Sequence, residues 1–320
     1  MKLLTQLLYS ANPLVHMRPL LLLSVIFLAT SQAIQANNGD DWGDDEWGEK
    51  SSTDLSINHR IETGLGSFIH DNNYVEQDLS LAELRYRLEL SNYWGETLAS
   101  VKADMNADDV EGKIDISLRE ALISRPIASN VDLRAGRQIL TWGTGDLLFL
   151  NDLFPKDWVA FFSGRPMEYL KAPSDAIKMS FFNQAANIDF IWTPVYNPDN
   201  YLDGQRFSFY NPITGSLYGA PPKLSAQEPD KKFKNGELAV RLYQTINSKE
   251  WAIYAYRGFT KQPTAFNPIL NRPTFSKLQT LGGSVLSPFA GGLFNAEFSW
   301  HYSLDDKEGS NPFIQNSQLR

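Results

Sequence analysis

The sequence predicts an all-β chain: an antiparallel transmembrane β-barrel with short periplasmic turns and long outer loops, truncated before its C-terminal closing strands. Three observations lead there. Apolar and polar residues alternate with period two, the alternating runs are mostly about nine to fifteen residues long, and the gaps between them switch between long and short. Strands of soluble proteins cluster near ~5–6 residues, whereas a tilted strand needs ~9–11 to cross a bilayer.

The N-terminus sets the compartment. Leu20 to Ala29 form an apolar run broken only by Ser24, preceded by Arg18 and followed by the small residues Ser31, Ala33 and Ala36. That order reads as a secretory signal peptide over residues 1–36, with translation starting at Met1 or at Met17. Its removal leaves 27 Lys+Arg against 37 Asp+Glu, a charge of −10. Half of that charge lies between Asn37 and Lys50, where six acids face one lysine. Residues 37–53 therefore read as a flexible acidic tail in the periplasm. Trp42 and Trp47 offer anchors for a periplasmic partner. Asp40, Asp41, Asp44 and Asp45 offer weak Ca²⁺ ligands without EF-hand spacing, and no other metal site and no cofactor is expected.

The barrel is expected over residues 54–320. Its first strand, roughly 54–68, sets Leu55, Ile57, Ile61 and Leu65 against Ser56, Asn58, Arg60 and Glu62. The second sets Ala82, Leu84, Tyr86, Leu88 and Leu90 against Glu83, Arg85, Arg87 and Glu89. In the third, Ala99, Val101, Ala103 and Met105 oppose Ser100, Lys102, Asp104 and Asn106. Further strands are expected near 113–124, 130–138, 175–183, 187–194, 236–247, 250–259, 276–287 and 292–303. The connections run long at 69–77, tight at 92–95, and so on along the chain, with very long ones at 139–174 and 194–235. Long connections mark the outer rim, and tight ones the periplasmic rim. Tyr93, Trp94, Trp192 and Trp251 at strand ends fit interfacial aromatic girdles. Eleven strands is an odd number, and a closed single-chain barrel of bacteria has an even one. After Ser303 the chain opens what reads as another long loop, with no returning strand before Arg320, hence the expected truncation.

With the apolar faces toward lipid, the opposite faces line a lumen of interleaved charge, in which Arg85, Arg87, Arg134 and Arg137 form an anion-friendly cluster. Arg137 has the wrong parity for that cluster unless Gly136 sits in a β-bulge. Gly143 and Gly145 permit a tight bend, after which 147–158 reads as a short amphipathic turn folded into the pore mouth. Such a constriction loop places Asp146, Asp152 and Asp157 opposite the wall arginines.

The segment Leu133 to Trp158 carries Gly136-Arg137-Gln138, then Trp142-Gly143-Thr144-Gly145-Asp146, then Asp152 with Pro155 and Asp157. It resembles a porin-like family of bacterial outer-membrane proteins related to alginate-export channels. The resemblance implies an outer-membrane channel, with Gln138 joining the pore-lining residues. The C-terminal strands expected of that family are absent here.

Other functions have less in the sequence to carry them. A negative chain is not built for nucleic acid. With no cysteine there is no disulfide scaffold, zinc–thiolate site or thiol nucleophile. His16, His59, His70 and His301 lack metal-pair spacing, and no nucleophile elbow, P-loop or dinucleotide fingerprint occurs. The expected protein is not an enzyme but an outer-membrane, porin-like channel, contacting membrane lipid and passing a small polar or anionic solute. The alternatives are a non-transport barrel that adheres or anchors a periplasmic partner, and a secreted soluble β-protein.

Overall fold

The computed structural model describes residues 55–70, 73–75, 77–145, 147–211 and 215–320. The expected signal peptide, the expected acidic tail and Asp146 lie outside the described residues. A meander comes first: β1 (Ser56–Ser67), β2 (Leu79–Trp94), β3 (Thr97–Asp108), β4 (Lys113–Ala128) and β5 (Val131–Ile139). A long insert, 140–172, then carries helix α1 (Trp158–Phe162) and a 3-10 turn at Met167–Leu170. After β6 (Pro173–Phe181) and β7 (Asn187–Thr193) comes a second long connection, which holds a small hairpin, β8 (Phe209–Asn211) and β9 (Ser216–Tyr218). Next are β10 (Glu237–Ile246) and β11 (Lys249–Phe259), and a second hairpin, β12 (Ala265–Asn267) and β13 (Arg272–Thr274). The chain ends with β14 (Lys277–Phe289), β15 (Gly292–Ser303) and β16 (Gln318–Leu319).

Twelve strands make one antiparallel sheet in the order β1-β2-β3-β4-β5-β6-β7-β10-β11-β14-β15-β16. The eleven long strands occupy the segments marked by alternation. Three expectations are corrected. The sheet is open, because β1 and β16 are its edges and do not pair with each other. A returning strand does follow Ser303: in β16, Gln318 and Leu319 pair with His301 and Trp300. The connections at 194–235 and 260–275 are not bare loops, since each folds a two-stranded hairpin of its own. Among the described residues no helix is long and apolar enough to cross a membrane.

Local chemistry explains the tight rim. The β10–β11 turn has Asn247 and Ser248 at φ 50° and 60°, and the β14–β15 turn has Ala290 and Gly291 at 48° and 79°. Two successive positive φ values give the twist that antiparallel strands need across a two-residue loop. In β4 Arg119 shares the parity of Ser117, opposite Asp104, and is buried on that face; a register shift against Lys102 and Ala103 just after it brings Leu122 and Ser124 to the same face.

The two faces of the sheet have inverted polarity. Ile57, Ile116, Ile253, Leu281 and Phe298 stand exposed, Ile116 at 74%, while Glu83, Arg85, Arg87, Asp104, Asp189 and Glu237 are buried. The insert packs on that polar face and explains its burial. Glu168 of the insert reaches Arg60 on β1, and Asn151 of the same insert reaches Glu297 and Phe298 on β15, next to the other edge. One segment touching strands from both ends of the sheet order requires the sheet to curl around it.

Gly136 lies at φ +123° in β5, and a Cβ there would stand 2.3 Å from the Ala121 carbonyl oxygen on β4. Backbone cannot yield that distance cheaply, so Gly136→Ala is expected to destabilise the β4–β5 pair by roughly 1–3 kcal/mol. Chemical denaturation of the purified protein checks it: a lower midpoint is the expected result, and an unchanged midpoint contradicts the strain.

Candidate functional site

The interior formed by the curled sheet and the insert has two halves of different chemistry. On the β6–β14 side it is apolar. Leu140, Trp142 and Phe154 pack against Ala176, Ile191, Ala239, Ala252, Tyr254, Tyr256 and Leu278. The Trp142 indole donates to the Asn151 carbonyl at 2.8 Å and lies edge-on to Phe154. Asn151 seats the tip of the insert over Gly282 of β14, where a Cβ would fall 1.9 Å from its Oδ1. Its Nδ2 donates to Glu297 at 2.8 Å and to the Phe298 carbonyl at 3.1 Å.

On the β1–β4 side the interior is charged. Arg87, only 1% exposed, donates to both Asp104 oxygens, at 2.6 and 2.8 Å, and to Glu168 at 2.9 Å. Arg85 contacts Glu83 at 3.2 Å and Asp104 at 3.5 Å. Arg165 of the insert reaches Glu83 at 2.6 Å. Arg119 donates to the carbonyls of Glu168 and Lys171, both at 3.0 Å. The guanidinium carbons of Arg85, Arg87 and Arg119 lie 4.0, 4.8 and 5.0 Å from the centre of one ring, that of Tyr169. The Tyr169 hydroxyl donates to Glu62. Burial first, and then that bond, push the phenol's pKa up and keep it a neutral donor. Burial works against the charged form of Glu168, but Arg87 and Arg60 outweigh it and hold the carboxyl below its ordinary value.

The long 194–236 connection closes over one end. Arg206 pairs with Asp108 and with Glu111 at the β3–β4 rim and donates to the Ser80 carbonyl. Asp199 accepts from Lys156 N, Trp158 Nε1 and Gln262 Nε2, and burial nonetheless pushes its carboxyl up. Two of the cavities among the described residues bear on this chemistry. The larger, about 370 Å³, is lined by Leu150, Lys156, Trp158, Lys261 and His301. The smaller, about 210 Å³, opens among Arg85, Asn106, Arg119, Arg165 and Tyr169. Among the described residues no group of three His, Asp or Glu is placed to hold a metal ion.

The residues singled out from the sequence separate into groups. Arg85 and Arg87 stand together as expected. Arg134 is half-buried on β5, opposite Lys178 and Ser124, and belongs to a different stretch of wall. Arg137 does not join the cluster: the β4–β5 register runs through Gly136 without a bulge, so Arg137 stays on the outward face and forks onto Asp175 at 2.8 Å twice. Gln138 is buried and donates to the Ala176 carbonyl at 3.0 Å. Gly143 supplies the bend at φ +95°, Gly145 sits beside the Leu148 carbonyl, and Pro155 is buried, its carbonyl accepting from Ala172 N.

The insert does fold inward, but by different residues than expected. Asp152 is taken by Lys156 at 2.9 Å and Thr141 at 2.8 Å. Asp157 caps α1, accepting from Ala160 N at 2.7 Å and from Asn200 at 2.9 Å. Asp152 does not face the wall arginines, whereas Asp157, while capping the helix, lines one cavity with Arg85 and Arg119; the short helix lies at 158–162 instead of 147–158. Glu168, Tyr169 and Arg165 hold the wall instead. Sequence reading missed them because they lie in a stretch with no periodicity, marked only by Pro166 and Pro173.

The chain matches no family model, and no curated protein is similar to it.

The depressed Glu168 carboxyl gives a pH prediction with a definite sign. A carboxylate whose folded pKa lies below its ordinary 4.5 stabilises the fold above that value and loses the contribution as pH falls through the depressed value. Hydrogen exchange of residues 163–172, corrected for its intrinsic pH dependence, is expected to rise as pH drops below about 4.5. Glu168→Gln is expected to expose the same residues at neutral pH. Equal protection in the variant and the parent protein contradicts the role of Glu168.

Proposed function

We propose that the chain forms the wall of a bacterial outer-membrane channel that passes a small polar or anionic solute by passive diffusion. The observation that carries this reading is the inverted polarity of the sheet: exposed Ile, Leu, Val and Phe on one face, and buried Arg, Glu and Asp on the other. In water such an arrangement wastes both the hydrophobic effect and the hydration of the charges; against lipid, both faces sit in their proper solvent. Exposed Tyr93, Trp94 and Trp251 near strand ends fit the interfacial level of a membrane. The N-terminal signal pattern supplies export, and the acidic tail supplies a docking element for a periplasmic partner.

In this channel the insert narrows the pore. Arg60, Arg85, Arg87, Arg119 and Arg165 face Glu62, Glu83, Glu89, Asp104, Asp108 and Glu168, so the constriction is close to balanced in charge. A near-neutral, strongly polar wall favours small polar solutes. A second reading, a non-conducting barrel that anchors a partner, is supported by the tight packing of Trp142 and Phe154 against Tyr254.

Planar-bilayer recording separates the two. The full chain is expected to give stepwise conductance, and replacing residues 143–168 by a short Gly-Ser linker is expected to raise the unit conductance at least about twofold by widening the constriction. Absence of channel events in both proteins overturns the channel and favours the anchor.

A further inference from the structure

The larger cavity, about 370 Å³, lies between the first half of the insert, Leu278 on β14 and His301 on β15. Its walls are mainly carbon. Leu147, Leu148, Phe149, Leu150, Leu153 and Trp158 all reach it from the insert. Leu147 is 52% exposed and Leu148 71%. Because the insert covers the polar face of the sheet, these leucines are not on the face turned toward lipid, and lipid does not account for their exposure. Phe149 and Trp158 stand edge to face, their ring centres 5.9 Å apart.

Six titratable side chains line the same cavity, and the fold already engages them: Asp152, Lys156, Asp199, Lys261, His301 and Arg320. Lys156 Nζ donates to Asp152 and to the Phe154 carbonyl, both at 2.9 Å. Lys261 Nζ donates to Glu237 at 2.6 Å and to the Asn197 carbonyl at 3.0 Å. Asp199 accepts from Lys156 N, Trp158 Nε1 and Gln262 Nε2. His301 Nε2 donates to the Leu150 carbonyl at 2.9 Å. Arg320 is exposed and donates to Gln318 Oε1 at 3.0 and 3.2 Å, so water reaches its charge. Among the described residues no side chain lining this cavity holds a buried nitrogen or oxygen without a hydrogen-bond partner. An ion entering it would find the buried countercharges taken. A water molecule held against the leucines would lack the two to four polar partners it needs. An apolar body forfeits no such bonds and takes the exposed carbon out of water.

We propose that this cavity binds an uncharged apolar molecule of one or two aromatic rings. An apolar cavity of ~150 Å³ already holds one benzene ring, so the larger volume here admits a second. The Phe149–Trp158 pair offers a ring guest an edge and a face to pack on. Leu147 and Leu148 form the accessible side through which it enters and which it covers. The ligand differs in class from the polar solute proposed for the charged constriction, and the site does not depend on conduction.

Fluorine NMR of 4-fluorotoluene with the full chain in lipid nanodiscs tests it, empty nanodiscs giving the reference for partition into lipid. A saturable bound fraction above that reference is expected, displaced by toluene and by naphthalene. Benzoate, which has the same ring and a charge, is expected to displace the probe at least about tenfold more weakly than toluene, and glucose not measurably. Leu148→Asp puts a charge on a side chain that is already exposed, and Leu150→Trp fills the cavity; each is expected to weaken binding at least about threefold. Unchanged heat-modifiable migration on gels shows that each variant still folds. A probe signal that only tracks lipid, displacement by benzoate equal to that by toluene, or binding indifferent to both substitutions each overturns the site. Bilayer recording of the same protein keeps the two proposals apart: binding without conductance overturns the channel and leaves the site, and conductance without binding does the reverse.

Discussion

A guanidinium withdrawn from water has to meet its countercharges at contact, and Arg87 meets two, Asp104 from the neighbouring strand and Glu168 from the insert. Desolvating such an ion costs several kcal/mol, which only close geometry and further hydrogen bonds offset. Much of the structure follows from this requirement. The β2–β3 register sets Arg87 opposite Asp104, and a slip of one residue would turn the arginine to the other face and strand the carboxylate. The insert has to cross the polar face to bring Glu168 within reach. The sheet has to curl for β1 and β15 to touch that insert together.

The same requirement divides the interior. Where β1–β4 present charge, the insert answers with Arg165, Glu168 and the Tyr169 ring. Where β6–β14 present Ala176, Ala252 and Tyr254, it answers with Leu140, Trp142 and Phe154. One segment thus holds a polar network at one end and an apolar plug at the other. Its glycine-bearing start and its proline-bracketed end match the two kinds of wall.

Much of the fold was legible in the sequence, and much less of the site. Period two survives in β2, β3 and β15 because each strand separates two environments, so counting alternate residues found them. It also placed Arg85, Arg87 and Asp104 on one face. It failed at β5, where Arg137 was brought inward by a bulge that the unbroken register does not contain; the parity count alone was right there. It did not reveal that Tyr254 and Tyr256 face inward, because β11 is largely apolar on both faces. Asp152 and Asp157 were read as pore carboxylates, yet each finds a partner within a few residues, a lysine one helical turn on and a helix N-terminus. Short-range partners of that kind are visible in sequence and should have been weighed first. Glu168 was not visible, since its partners lie more than eighty residues away. The twelfth strand escaped because two residues carry no periodicity at all.

The central claim is that the apolar face of the sheet meets lipid while the charged face encloses the interior. The chain contains no cysteine, so single cysteines can be introduced against a clean background. Spin labels at Ile116, Ile253 and Leu281, compared with Ser117, Thr280 and Ser284 on the opposite face, report this directly in lipid vesicles. The account predicts that oxygen dissolved in the bilayer relaxes the first three strongly and that a water-soluble nickel chelate does not reach them, with the reverse preference or protection from both at the other three. Free access of the nickel chelate to Ile116, Ile253 and Leu281 would contradict it.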